Sequence, residues 1–277
     1  MADIMIRIGQ SEIQHGKASD RVYLMKLAKA DFPDIIDDID KLVEKNSYTK
    51  IFIKVPAWAK QGFENRGYTV EASIPNFYNG RENAFFMARY TDVMRKEHAD
   101  RETITQIIRT AMIAPKLDAP DLPKGFSHAV LVPQDAEELA ALYKAVFKSY
   151  PFPIFDSGYL KETMASHIVY FGIRKAGQLV AASSCEMDVG YKNVEMTDFA
   201  TLDAYRSKGF ASFLLTQMER EMRCRGIKMA YTIARSMSYG MNITFAKNLY
   251  TFAGTLFSNT DIAGEIESMN VWYKALE

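Results

Sequence analysis

The chain has 277 residues, of which 48% are hydrophobic and 25% charged, with 34 Lys and Arg balancing 34 Asp and Glu. That length suits one large domain or two modest ones, each able to bury a core. The balanced charge and lack of a polybasic run argue against nucleic acid or an anionic lipid surface as partner.

The N-terminus, "MADIMIRIGQSEIQHGK", meets polar residues too early for a signal peptide, and no apolar run approaches the ~18 residues of a membrane span. Cys185 and Cys224 are the only cysteines; both are expected as small buried hydrophobes of a protein from a reducing, cytoplasmic compartment. His15, His98, His128 and His167 are scattered without ligand spacing, so no metal is expected.

In the first half, "WAKQGFENRGYTVEASIPNFYNGRENAFFMARY" reads as helix, Gly-Tyr turn, strand, loop and strand. "HADRETITQIIRTAMIA" follows as a helix with Asp100 as its candidate N-cap. The stretch "APKLDAPDLPKG", with three prolines and a glycine, breaks both helix and strand. A boundary is placed there, giving a 1–124 N-terminal α/β domain and a 125–277 domain.

Beyond it the pattern alternates. "HAVLVPQ" reads as a strand, and "DAEELAALYKAVF" as a helix with Asp135 and Glu138 spaced like a capping box. An aromatic loop, "SYPFPIFDSG", and a short helix lead to three strands, "IVYFGIRK", "QLVAASSCEMD" and "VEMTDFATL". A helix ending near Gly226, a buried strand "IKMAYTIA", a helix "YGMNITFAKNLYTF" and two closing strands complete the chain. Three antiparallel strands feeding a crossover helix and a parallel partner specify α/β: a mixed, mostly antiparallel central sheet flanked by helices. The helix-turn-strand-strand order of the first half echoes residues 242–276. This is either a common unit recurring or an extra N-terminal α/β domain that is a degenerate half-copy of the same fold. It holds no counterpart of residues 206–211 and is assigned no chemistry.

"AYRSKGFASFLL" is a poor helix start. Phe210, Phe213, Leu214, Met218 and Met222 recur at helical spacing, yet Arg206 and Lys208 put cations in the opening turn, against the helix dipole. Gly209 adds a cost of about 1 kcal/mol relative to Ala in a helix interior. An anion explains all three, because a helix N-terminus offers free N–H groups and glycine lets a phosphate approach the backbone. The alternative is a helix that begins after Gly209, with the two cations solvated in a loop.

Arg206, Gly209 and Ala211, placed after a strand and before helix, strand, helix, strand, strand, match the [RQ]-x-x-G-x-[GA] signature, and residues 128–277 resemble the Gcn5-related N-acetyltransferase family. The resemblance implies the acyl-CoA N-acyltransferase fold and acetyl-CoA as cosubstrate, with no metal. Its pyrophosphate would lie on Arg206, Ser207, Lys208, Gly209, Phe210 and Ala211, and its pantetheine arm along Phe199, Ala200 and Thr201.

A lysine-type amine has a pKa near 10.4, so freeing it at pH 7 costs roughly 4–5 kcal/mol, and a carboxylate can take the proton. Glu195, eleven residues before Arg206, stands where the histone-acetylating branch of the family places its glutamate. Asp198, three residues on, faces the other side of a regular strand unless a bulge intervenes. It is kept as a ligand for the substrate ammonium. "NLYTFAG" matches the family's L-Y-x-x-x-G, which implies Tyr250 as general acid. Asn242, one residue off the family's usual spacing, is carried over as a cofactor contact. Glu195 as a solvated edge carboxylate and Tyr250 as a core residue are the structural alternatives.

Through "VEMTDFATL", "YRSKGFASFLL" and "IESMNVWYK" the whole chain also resembles the β-lysine N-acetyltransferases. That implies transfer to the ε-amine of β-lysine, giving a net-neutral compatible solute for osmoadaptation, downstream of lysine 2,3-aminomutase. Asp156, Asp198, Glu265, Glu267 and Asn270 are the candidate polar ligands, with Phe152, Phe155 and Tyr159 as an aromatic wall. The expected partners are thus a small-molecule amine and, for assembly, a second copy of the chain. Transfer to another primary amine (a polyamine, an antibiotic or a protein lysine) and a non-catalytic acetyl-CoA-binding regulator are the competing readings.

Overall fold

The computed structural model describes residues 3–97, 100–116, 120–262 and 264–276; His98 and part of the linker at the expected boundary lie outside them. The first half runs β1 (Ile4–Ile8), β2 (Ser11–Gly16), β3 (Arg21–Lys26), α1 (Ile35–Asn46), β4 (Lys50–Pro56), α2 (Ala57–Glu64), β5 (Thr69–Tyr78) and β6 (Glu82–Tyr90). Two helices, α3 (Val93–Glu97) and α4 (Arg101–Met112), lead out of it. The second half runs β7 (Phe126–Val130), α5 (Ala136–Val146), α6 (Ser157–Met164), β8 (Ile168–Lys175), β9 (Gln178–Asp188) and β10 (Asn193–Thr201). It ends with α7 (Phe210–Cys224), β11 (Met229–Arg235), α8 (Tyr239–Lys247), β12 (Thr251–Ile262) and β13 (Glu265–Ala275).

Among the described residues all 13 strands join one sheet, in the order β1-β2-β3-β4-β6-β5-β12-β13-β11-β10-β9-β8-β7. Read outward from the β5–β12 junction, the two sides match: β5-β6-β4-β3-β2-β1 on one and β12-β13-β11-β10-β9-β8 on the other. The parallel ladders, β3–β4 and β10–β11, occupy equivalent places. In each half a helix crosses between the parallel strands, α1 in the first and α7 in the second. The echo in the sequence is therefore a repeat of element order, with the halves back to back.

The junction is narrow. β5 and β12 pair through Gly254 and Ala72, and Gly254 sits at φ +148°, where a Cβ would lie 2.1 Å from the Glu71 carbonyl oxygen. Only glycine lets the two backbones approach this closely. Lys50, wholly buried, pins the same seam by donating to the Phe257 carbonyl at 2.7 Å and to Glu71 at 3.1 Å.

The apolar stripe of α7 is buried, with Phe210, Phe213, Leu214, Met218 and Met222 packed on Val180, Cys185, Val194 and Met196 of the sheet. A second core gathers α1 and α2 on β2, β3 and β4. A third mixes the halves: Tyr23, Phe52, Ile74 and Phe86 pack with Tyr231, Leu256 and Met269. The sheet thus curls, and its inner face carries aromatic residues from both ends.

Three local expectations change. Asp135 and Glu138 form no capping box on α5: Asp135 accepts from the Val132 amide at 2.9 Å, and both carboxylates bind Arg174. Arg174, on β8, outcompetes the helix end because a charge-assisted pair is the stronger bond. Cys224 is exposed, at the end of α7, while Cys185 is buried as expected. The last helix stops at Lys247 rather than running through Phe252, because Leu249 turns left-handed at φ 68° and the Tyr250 amide donates to the Phe245 carbonyl. Asp100 does cap α4, accepting from the Thr103 amide at 3.0 Å.

Candidate active site

β10 is the pivot. Its ladder to β11 runs through Asn193–Met229, Val194–Ala230 and Glu195–Tyr231, then ends. On the other side it pairs with β9 throughout, except for an irregularity between Thr197 and Ala200, where Asp198 takes φ 55°. That bulge removes the strict alternation. Glu195 and Asp198, three apart, both line one cavity of about 190 Å³ together with Phe199.

The cavity is closed by both halves of the chain. β9 and β11 supply Glu186, Tyr231 and Arg235, the aromatic loop supplies Tyr150 and Phe152, α6 supplies Tyr159, and the first half supplies Gln14, Arg21, Tyr23, Phe52 and Lys54. The N-terminal residues escaped the sequence reading because they sit singly on strands whose alternation marks them only as inward-facing. Two inward cations, Arg21 and Lys54, in an otherwise apolar pattern were the available signal.

Burial raises the Glu195 carboxyl to about 7, and Glu186, its direct partner across the β9–β10 ladder, pushes in the same direction. Lys54 and the Tyr231 hydroxyl pull the other way. Lys54 is half-buried, its ammonium disfavoured by desolvation, and donates to the Tyr231 hydroxyl at 3.0 Å. Asp198 accepts from Ser184 Oγ at 2.6 Å and from the Tyr150 hydroxyl, while burial raises its pKa. A half-buried carboxyl poised near neutrality beside a cavity is suited to proton transfer.

The remaining cofactor candidates divide. α7 begins at Phe210, so Arg206 and Lys208 precede the helix rather than occupying its first turn. Ser207 (φ 63°) and Gly209 (φ 78°) are both left-handed, which turns successive amides toward one side. Among the described residues no backbone carbonyl accepts from the amides of Ser207, Lys208 or Gly209, and no side chain caps α7. Arg206, largely exposed, meets Asp203 at 2.7 Å. Phe210 is buried and Ala211 half-buried on the first turn. Ala200 and Thr201 keep their pairing to β9, and beyond Glu195 the ladder to β11 is absent. This loop and strand edge fit an acyl-CoA: an amide cradle for a diphosphate, followed by an unpaired strand edge for an extended amide chain.

The structure does not bring six other candidates to the cavity, among them the exposed Glu265. Asn242 is fully buried, donating to the Arg235 and Ser238 carbonyls and accepting from Asn270 Nδ2 at 2.8 Å and Trp272 Nε1 at 2.9 Å, so none of its polar groups is left for a cofactor. Asn270 is likewise spent on Asn242 and Thr255. Glu267 is held by Arg235. Asp156 caps α6 through the Gly158 amide at 2.7 Å. Tyr250, turned inward by the early helix end, stacks edge-on against Phe245 with its hydroxyl buried and without a partner. Of the aromatic wall, Phe152 and Tyr159 line the cavity; Phe155 is exposed.

Comparison with known proteins agrees with this geometry. Residues 136–238 match the model of the acetyltransferase (GNAT) family. The chain is 41% identical over 278 residues to the β-lysine N(6)-acetyltransferase of Methanococcus maripaludis, covering 99% of both chains. It is 29% identical to the enzyme of the same name from Methanosarcina mazei, covering 88% of this chain and 98% of that one. To the N-acetyltransferase YodP of Bacillus subtilis it is 34% identical, covering 80% of this chain and 78% of that one. No helix among the described residues is long and apolar enough to cross a membrane. The chain belongs to the GNAT family and is an N-acetyltransferase.

Proposed function

We propose that the protein transfers an acetyl group from acetyl-CoA to the ε-amine of β-lysine, with Glu195 as general base. The reading is carried by one observation: Glu195 lines the cavity at the point where the β10–β11 ladder ends, with its carboxyl raised to about 7. The relatives from the two methanogens, named for β-lysine, support the choice of acceptor.

When bound, acetyl-CoA supplies an activated acetyl thioester. The amides of Ser207, Lys208 and Gly209, with Arg206 and Lys208, would hold its diphosphate, and the free edge of Thr197–Thr201 its amide arm. Glu186, Asp198 and Glu195 give this end of the cavity a negative field that draws in an ammonium. Phe152, Tyr159 and Ile168 form a wall for methylenes.

Glu195 then removes the ammonium proton. At a carboxyl pKa of about 7 rather than 4.5, the transfer is easier by about 3 kcal/mol, while half the carboxylates remain ionised at neutral pH. No dedicated acid for the departing thiolate is assigned, since Tyr250 lies outside the cavity. Acetylation removes one positive charge from β-lysine and leaves a net-neutral zwitterion, the character expected of a compatible solute.

The test is thiol release from acetyl-CoA over a panel of β-lysine, L-lysine, spermidine and a lysine-containing peptide, with the product's acetylation site read by mass spectrometry. Highest kcat/KM for β-lysine with ε-acetylation supports the reading. Preference for another amine overturns it.

A further inference from the structure

The cavity is lined by charges of both signs, with Lys54 beside Glu195 and Arg235 paired to Glu267. Opposite in character to the acidic group of Glu195, Glu186 and Asp198, a guanidinium from the first half of the chain also lines it: Arg21. Only 4% of Arg21 is exposed, and burial lowers its pKa to about 10. Its Nη1 donates to the Asn259 carbonyl at 2.7 Å and Thr260 Oγ1 at 2.9 Å, and its Nη2 to Gln14 Oε1 at 3.3 Å. The group lies 5.2 Å from the Tyr23 ring centre and 5.6 Å from that of Phe52, two rings packed on each other at 4.4 Å. All these partners are neutral. Among the described residues no carboxylate forms an ion pair with Arg21 within 4 Å; Asp3 acts on it only from further off, and a second buried cation, Arg95, opposes that effect.

Taking a cation out of water without a counter-charge is costly, and proteins keep such groups paired. Two further polar atoms in the cluster, Arg21 Nε and Asn259 Oδ1, are buried with no partner. A rigid guanidinium with neutral holders, facing a cavity, is a receptor for an anion that arrives with the ligand. Arg21 and Tyr23 share a face of β3, about 7 Å apart along it, and Tyr23 is close enough to Glu195 for the carboxylate to raise its pKa. An amino acid with its reacting amine near Glu195 would therefore carry its carboxylate toward Arg21.

We infer that Arg21 binds the carboxylate of the acceptor, so that the first half of the chain, which carries no cofactor loop, selects a carboxylate-bearing amine over a simple diamine. The inference rests on the amino-acid acceptor proposed above and adds the residue that reads it. Asn259, whose carbonyl positions Arg21, offers its unpaired Oδ1 beside it for the second ammonium of a diamino acid.

The test compares kcat/KM for β-lysine with that for its decarboxylated counterpart, 1,4-diaminopentane, in the wild-type protein and in Arg21→Gln and Arg21→Lys. A charge-assisted hydrogen bond of this kind corresponds to about 10- to 150-fold in affinity. The ratio of the two kcat/KM values is expected to fall by that order in R21Q, chiefly through KM for β-lysine, with a smaller fall in R21K, while the acetyl-CoA Kd stays put. An unchanged ratio, or equal loss on both amines, overturns the inference. If R21Q does not fold, R21K decides it alone, through a ratio lowered at least about fivefold or not. If the wild-type protein prefers another amino acid such as L-lysine, the β-lysine reading falls. Arg21 is then judged by the same ratio for that amino acid and its decarboxylated form. A wild-type protein indifferent to the carboxylate overturns both.

Discussion

Glu195 and Glu186 stand directly opposite each other on β10 and β9, two carboxylates lining the same cavity. Like charges so placed destabilise each other, and this adds to the desolvation by burial that chiefly raises the Glu195 carboxyl. The acid limb of kcat/KM against pH is predicted to fall near 7, activity rising with pH as Glu195 ionises. Removing the neighbouring negative charge in Glu186→Gln should move that limb to lower pH. Removing the nearby cation in Lys54→Met should move it to higher pH. Limbs that stay fixed in both variants would mean that another group titrates.

The same shift has a cost in stability. A carboxyl whose folded pKa of about 7 exceeds its unfolded value near 4.5 favours the fold most below pH 4.5 and loses that contribution as pH rises through 7. At pH 8 the difference amounts to about 3 kcal/mol at most. Glu195→Gln, which cannot ionise, is expected to raise Tm at pH 8, with the gain vanishing toward pH 4.5. Thermal melts at both pH values check this; a lower Tm at pH 8 would contradict it.

The seam between halves gives a third expectation. Gly254→Ala puts a Cβ against the Glu71 carbonyl at a distance no packing tolerates, at a strained φ. A loss of about 3 kcal/mol or more is expected, together with weaker acceptor binding, because Arg21, Tyr23 and Lys54 reach the cavity only when the halves are joined. Chemical denaturation and acceptor KM measure the two effects. A G254A protein of unchanged stability would show that the seam is soft.

Tyr250 separates family pattern from local geometry. With its hydroxyl buried against Phe245 and away from the cavity, Tyr250→Phe should change kcat by less than about threefold, since it removes a hydroxyl that has no partner. A loss in the general-acid range of about 100-fold would show that the side chain reaches the sulfur during turnover.

The placing of several candidates is legible in residue order: Glu195 and Asp198 on one strand, Gly209 ahead of an amphipathic helix, and the repeat of helix, turn and two strands in the first half are local patterns. The role given to Glu195 comes instead from the family resemblance. Asp156, Asn242, Glu267 and Asn270 could not be sorted this way. Each carries a polar group that a ligand could use, and whether it is free depends on distant partners: Arg235 for Glu267, Trp272 for Asn242. The N-terminal wall was hidden for the opposite reason. Arg21 and Lys54 belong to no motif, and only the curl of the sheet brings them to Glu195. The closing helix was overextended because "KNLYTF" keeps helical spacing, whereas the left-handed turn at Leu249 ends it.

The central claim is that Glu195 takes the proton from the acceptor amine. The most direct measurement is the pH dependence of kcat/KM for β-lysine in Glu195→Gln against wild type, with acetyl-CoA affinity determined separately. The account predicts a fall of about 100- to 10,000-fold, disappearance of the limb near 7, and an unchanged acetyl-CoA Kd. A variant that keeps both the rate and the limb would contradict it.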